Sequence, residues 1–354
     1  MKPIALVVPG SIAQRSGGYE YDRRIASGLR ARGWIVDVKE IDGAFPRPSG
    51  ATLERAARTL AEIPDGTVVV ADGLAFGALP AEVERERARL CFVALVHLPL
   101  AAHIGIDREE AARFKDSERR ALAAARACIV TGAATADVLE SYGVGPERIA
   151  VVEPGTDRAP LARGSRDPVH LVSVAAITPG KGHEDLLRAL ARVRGLRWRL
   201  TCAGAMDRHA PTTVRVRQLL IDEELEDRVT LTGELDPPAV AALYDSADLF
   251  VHASRHETYG MAVAEALARG VPVVGSATGA IPDLVGSDAG LVVPPGDVDA
   301  LAGALSRVLD DADLRERLTA GARRVRDRLP SWDDAADAMA RLLARLEADG
   351  SFTR

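Results

Sequence analysis

Short apolar runs alternate with stretches of helical periodicity along this chain, and the alternation occurs twice. In the first half, residues 4–8, 35–38, 68–71, 92–96, 128–130 and 149–152 read as strands, and 19–32, 51–62, 107–126 and 133–142 as helices. Strand and helix in regular exchange predict a doubly wound parallel sheet. Residues 154–168, rich in Pro, Gly, Arg and Asp, have no periodicity and read as a linker. From Val169 the pattern restarts, with strands at 169–174, 198–202, 228–231, 248–252, 272–275 and 291–293. Helical segments at 183–193, 212–224, 238–245 and 260–269 separate them, and the tail is helical to about 347. The expected fold is therefore α/β, with two Rossmann-like halves at 1–157 and 165–330 and a frayed end at 349–354.

Candidate chemistry concentrates in residues 254–274. A strand ends at Ala253, a polar turn runs through Glu257 to Gly260, and a helix begins at Met261 and carries Glu265. A loop at the carboxyl end of a parallel strand is where open α/β sheets bind ligands, and free amides at a helix start favour an anionic phosphate. Two carboxylates beside such a phosphate suit a hydroxyl-rich ligand, because each accepts hydrogen bonds from vicinal hydroxyls. Taken alone, the spacing favours a solvated helix in which Glu265 pairs with Arg269, for about 0.3–0.5 kcal/mol, and Glu257 is a loop residue.

The context separates these readings. Glu257 and Glu265 with seven residues between them, Tyr259-Gly260-Met261 inside the interval, and Ala-Arg-Gly-Val-Pro-Val-Val behind it resemble the signature of the retaining family 4 glycosyltransferases. The resemblance covers almost the full length and implies the GT-B architecture, two Rossmann-like domains facing a cleft. It places the acceptor on the 1–157 side and a nucleoside diphosphate sugar on the 165–330 side, with a last helix near 332–347 packing back on the first domain. It implies sugar hydroxyls for Glu257, ribose hydroxyls for Glu265, and backbone contacts for Tyr259, Gly260 and Met261.

Lys181 is the second anchor. A strand ends at Val174, a Pro-Gly turn follows, and a lysine flanked by Gly180 and Gly182 opens a helix, a suitable place for a cation to meet a diphosphate. Only four of the 45 Lys and Arg residues are lysine, so a generic surface cation here would have been arginine. The family pattern has Gly-Arg before this loop, whereas this chain has Ala175-Ala176. Arg15, Arg208 and Arg255 are the candidates to replace that charge. Gly17 and Gly18, between first strand and first helix, suit close approach of backbone to ligand. Gly204 and Gly233 follow strands and resemble the loops on the nucleotide side. His97 ends a first-half strand and matches the family histidine near the transferred sugar, while His103 has no such match and is expected to be structural.

Composition narrows the remaining classes. At 47% hydrophobic and 27% charged, with net charge -6 and no apolar run of about 20 residues, the chain reads as a soluble, cytoplasmic enzyme without a secretory signal. Aromatics at 4% and the absence of a basic stripe argue against nucleic acid. Peripheral membrane contact through 107–126 is not indicated, because acids balance its bases. Cys91, Cys128 and Cys202 suit buried thiols. Asp297-Val298-Asp299 and Asp311-Ala312-Asp313 spell a metal-binding pattern, but both start helices and are expected to cap them. His252 and His256 do not share one face as zinc ligands, so no metal and no cofactor beyond the sugar nucleotide are expected.

The expected reaction is retaining transfer of a hexosyl group from a nucleoside diphosphate sugar, UDP ahead of GDP, to a hydroxyl acceptor, with His97, Glu257 and Lys181 at the reacting centre. A sugar-nucleotide epimerase or phosphorylase of the same fold, or a non-catalytic sugar-nucleotide binder, are the other readings. Interconversion of the donor without an acceptor would mark the first, and binding without turnover the second.

Overall fold

The computed structural model describes residues 3–102, 105–165 and 167–348, so His103 and the tail 349–354 lie outside the described residues. The chain forms two units, Met1–Gly155 with Pro330–Arg354, and Thr156–Leu329.

In the first unit, β1 (Pro3–Pro9), β2 (Ile35–Ile41), β3 (Val68–Asp72), β4 (Cys91–Val96), β5 (Ala127–Val130) and β6 (Ile149–Val151) form one parallel sheet in the order β2-β1-β3-β4-β5-β6. Every residue of β3 and β4 is buried, as expected of parallel strands covered on both faces. Alternate residues of β1 serve opposite layers. Ile4, Leu6 and Val8 pack with Tyr21, Ile25 and Leu29 of the helix Gly17–Ala31 and with Met339 and Leu343 of the helix Trp332–Ala348. Ala5 and Val7 face Ala56 and Leu60 of the helix Gly50–Ala61. The last helix approaches closely because Gly28 has no side chain: a Cβ there would stand 2.5 Å from that of Ala336.

In the second unit, β7 (Val169–Val174), β8 (Trp198–Ala203), β9 (Val229–Gly233), β10 (Leu249–His252), β11 (Val273–Ser276) and β12 (Gly290–Val293) form a second parallel sheet, ordered β12-β11-β10-β7-β8-β9. The chain grows outward from β7 to β9, then returns to the other side of β7 with β10. That reversal opens a crevice at the carboxyl ends of β7 and β10. The first sheet has its own reversal between β1 and β3.

All twelve predicted strands form. The short helices Gly73–Phe76, Pro80–Glu86 and Ile281–Val285 were not predicted, since fewer than two full turns leave no period to read. The helical tail is three helices, Val298–Asp310, Ala312–Arg326 and Trp332–Ala348. Asp297 and Asp311 cap the first two, accepting from Ala300 N and Leu314 N, each at 2.8 Å. The stretch read as a linker is largely fastened to the second unit. Ala162 N donates to Arg269 O and Arg163 N to Asp245 O, both at 2.9 Å, so the division falls at Gly155. All three cysteines are free and buried. Among the described residues no helix is long and apolar enough to cross a membrane.

Candidate active site

The β7/β10 crevice brings Lys181 and Glu257 together across 76 positions of sequence, with Lys181 Nζ donating to Glu257 Oε2 at 2.6 Å. Lys181 follows β7 in the tight turn Pro179–Lys181, and Glu257 follows β10. Burial alone would raise the carboxyl pKa of Glu257. Lys181, together with His252 3.4 Å away, outweighs burial and holds it well below the usual carboxylate range. The two residues assigned to diphosphate and sugar thus form a single ion pair.

Close backbone contacts hold the two loops in register. Arg255 N donates to Gly180 O at 2.8 Å. Gly182 adopts φ +66, and a Cβ there would stand 1.9 Å from Ala253 O. Gly279, at φ +52, does the same for the other side of the Glu257 loop, where a Cβ would meet Thr258 O at 2.3 Å and Glu257 O at 2.4 Å. Sequence reasoning passed over Gly279, since its only local signal was a glycine after a strand. Gly204 and Gly233 lie side by side at the ends of β8 and β9, with Gly204 N donating to Gly233 O at 2.9 Å. A Cβ on Gly204 would be 2.1 Å from Ala175 O, so this glycine draws the β8 loop against the Ala175-Ala176 turn.

Glu265 lies on the helix Met261–Leu267, which starts at Gly260 with φ +96 and is shorter than the predicted 260–269. Tyr244 Oη donates to Glu265 Oε2 at 3.0 Å. Arg269 reaches the Glu265 carbonyl at 2.9 Å and stacks over the Tyr244 ring at 4.7 Å. Tyr259 is buried, at 2% exposure.

Of the arginines named to replace the missing family charge, Arg255 is engaged elsewhere. Its guanidinium forks onto the buried Asp185 at 2.7 and 2.8 Å. Arg15 and Arg208 are exposed loop residues after β1 and β8. His252 and His183, neither predicted as site residues, line the ion pair from behind. His183 is buried with both ring nitrogens lacking a hydrogen-bond partner among the described residues. Burial, then the neighbouring His252 and Lys181, push its pKa down to about 4. Because the unfolded ring titrates near 6.5, the neutral ring contributes fully above that pH, and the contribution is lost as pH falls toward 4. We expect about 3 kcal/mol of stability to disappear across that window. Urea denaturation at pH 7.5 and 4.5 tests this, since His183→Asn should flatten the difference and an equal loss in both proteins would refute it.

In the first unit, His97 stands directly after β4, beside the β1/β3 reversal. Its Nε2 lies 3.0 Å from Asp22 Oδ1 and 3.6 Å from Asp72 Oδ2. Burial works against the charged ring, but Asp22, through charge and hydrogen bond, and then Asp72 outweigh it and raise the His97 pKa. Asp72 is itself pushed up to about 7, by burial and by the charge of Asp22. The ligand atoms of the three lie within 4.8 Å of one another, close enough to hold a metal ion, and Nε2 is hydrogen-bonded to Asp22. Gly17 opens the following helix, and Gly18 lies over the imidazole, where a Cβ would be 3.2 Å from His97 Cδ2.

Two crevices at strand reversals, one with a lysine and carboxylate pair and one with a carboxylate-bound histidine, agree with what related chains are. Residues 157–325 match the family described as Glycosyl transferases group 1, and residues 29–159 the one described as Glycosyltransferase Family 4. The MMP alpha-(1->4)-mannosyltransferase of Mycolicibacterium hassiacum is 31% identical over 326 residues, which are 85% of this chain and 77% of that protein. The chain is a family 4 glycosyltransferase. The enzyme is also 31% identical over 254 residues to the D-inositol 3-phosphate glycosyltransferase of Thermomonospora curvata, over 65% of this chain and 59% of that one. Among solved structures, sucrose-phosphate synthase from Thermosynechococcus elongatus superposes at TM-score 0.83 with 23% identity, covering 99% of this chain and 100% of that one. HepE of Anabaena, solved with UDP-glucose, gives TM-score 0.77 at 17% identity over 97% of this chain and 100% of that one. These neighbours share the GT-B fold with the enzyme.

Proposed function

We propose that the enzyme is a retaining glycosyltransferase that moves a hexosyl group from a nucleoside diphosphate sugar, UDP ahead of GDP, to a hydroxyl acceptor. The observation that carries this reading is the Lys181 and Glu257 pair at the β7/β10 reversal, with Glu265 one turn into the helix that follows the Glu257 loop. As the anomeric carbon becomes oxocarbenium-like, the departing diphosphate gathers negative charge, and fixed positive groups lower the barrier. Lys181 and the backbone amides from Tyr259 to Met261 are assigned to that charge. Glu257 is assigned to the sugar hydroxyls, Glu265 to the ribose hydroxyls, and His97 to orienting the sugar or the acceptor hydroxyl. The acceptor attacks from the leaving-group face and passes its proton to a phosphate oxygen, so no separate enzyme nucleophile is assigned. UDP is placed ahead of GDP because HepE, of the same fold, binds UDP-glucose; the mannosyl relative keeps other hexoses in the test.

A thermal-shift panel of UDP-glucose, UDP-galactose, UDP-N-acetylglucosamine and GDP-mannose tests the donor. A ligand at a hundred times its Kd adds about 2.7 kcal/mol, a rise of roughly 4 °C for a chain of this size. We expect a UDP-sugar to produce it. A response to GDP-mannose alone would overturn the nucleotide assignment, and silence across the panel would overturn the donor class. Proton NMR of the product tests retention, which an inverted anomeric configuration would disprove.

A further inference from the structure

We propose that Asp22 is a positioning residue for His97: its carboxylate turns Nε2 inward and leaves Nδ1 as the ring atom that meets substrate. This rests on the assignment of His97 to the sugar or acceptor hydroxyl.

Asp22 is an expensive residue where it stands. It lies on the inner face of the helix Gly17–Ala31 with 0% exposure, next to Ile4, Leu6, Ile25 and Leu29. Only Oδ1 has a partner, the His97 ring at 3.0 Å, while Oδ2 is buried without one among the described residues. A buried carboxylate with one oxygen unsatisfied weakens a core, and an apolar side chain would serve the helix better. Its one return is the imidazole. Nδ1 of His97 makes no hydrogen bond among the described residues, so the ring is held by one nitrogen and available through the other. This is the arrangement by which a second group fixes the tautomer and direction of a working histidine.

The groups facing the ring are few. Asp22 and the edge of Tyr21, with centroids 5.2 Å apart, come from the helix, Gly18 lies over it, and Asp72 comes from the end of β3. Tyr21 donates to Val152 O at 2.9 Å, and burial raises its pKa, so it stays neutral. Asp22 is the nearer carboxylate. Asp72 spends one oxygen capping Leu74 N at 2.7 Å. When protonated, the His97 ring offers Nδ1–H as a donor to a hydroxyl or phosphate oxygen, and that donor is lost as pH rises through the pKa of the ring.

The test uses the intact protein labelled with ¹⁵N-histidine, with the His97 resonance assigned by its loss in His97→Asn. Without substrate, the wild-type ring should titrate above 6.5, and Asp22→Asn, which keeps an oxygen for Nε2–H, should lower the midpoint by at least one pH unit. A wild-type midpoint at or below 6.5, or an unchanged midpoint in Asp22→Asn, overturns the proposal, and the first of these needs no variant to fold. With donor and acceptor, the alkaline fall in kcat should move to lower pH by the same amount, about tenfold in rate above it, with donor KM within threefold. A kcat profile that does not move overturns the role in turnover. If the donor reading itself fails, the thermal-shift panel is silent while the histidine titration still responds to Asp22, so the two failures are told apart.

Discussion

Replacing Lys181 with alanine should raise the donor Kd at least tenfold and destabilise the second unit by about 2–3 kcal/mol. Both effects have one origin. Lys181 Nζ sits 2.6 Å from Glu257 Oε2, and the Glu257 side chain is only 17% exposed. Removing one partner of a buried pair leaves an uncompensated charge, which costs about 3–5 kcal/mol when fully buried. The lower figure applies here because the Lys181 side chain is 31% exposed and solvent screens it. The sign against pH follows from Glu257, whose folded pKa is depressed. Its contribution is complete above the ordinary carboxyl value of about 4.3 and is lost progressively as pH falls below it. Wild type should therefore keep its advantage over Lys181→Ala at neutral pH and lose it in acid. Adding Glu257→Gln to Lys181→Ala should recover most of the stability and none of the donor affinity. Calorimetry and chemical denaturation read the two quantities separately. Unchanged donor affinity in Lys181→Ala would remove the lysine from the site, and unchanged stability would show that the ion pair is not a structural link.

Gly182→Ala should be at least as damaging while changing no charge. The residue has φ +66 and ψ 24, a left-handed conformation that costs an L-residue about 1–2 kcal/mol. Its added Cβ would also fall 1.9 Å from the carbonyl oxygen of Ala253, which is backbone and has no rotamer by which to move aside. With overpacking at about 1–3 kcal/mol, we expect a loss of roughly 2–5 kcal/mol. The direction of the displacement matters more for function. Ala253 is the first residue after β10, and Arg255 N is tied to Gly180 O, so pushing Gly182 away separates the Lys181 loop from the Glu257 loop. Donor affinity should fall tenfold or more even at temperatures where the variant is fully folded. A folded Gly182→Ala with wild-type donor affinity would show that register between the two loops does not set the site.

Several site residues were legible without coordinates because their signals are local. Lys181 is a rare lysine between glycines at a strand-to-helix turn, Glu257 and Glu265 bracket another such turn, and His97 closes an apolar strand. The caps at Asp297 and Asp311 could be read for the same reason, since a cap concerns only the next three residues. Asp22, Asp72, Gly279 and His183 were passed over. Asp22 reads as an ordinary helical acid, and nothing within ten positions of it announces a histidine 75 residues away. For Arg255 the converse holds: its loop position gave no sign of Asp185, 70 residues earlier, onto which its guanidinium forks.

What the sequence by itself determined is therefore the run of twelve strands, the doubled α/β pattern and the residue types at each strand-to-helix turn, because side-chain period and turn chemistry are short-range properties. Only the tertiary structure decided which turns became neighbours. Strand order depends on which side of the sheet each crossover packs, and periodicity along the chain carries no record of that choice. The order β10-β7 places Glu257 on Lys181, and the order β1-β3-β4 sets Asp72 beside His97 while the helix after β1 adds Asp22.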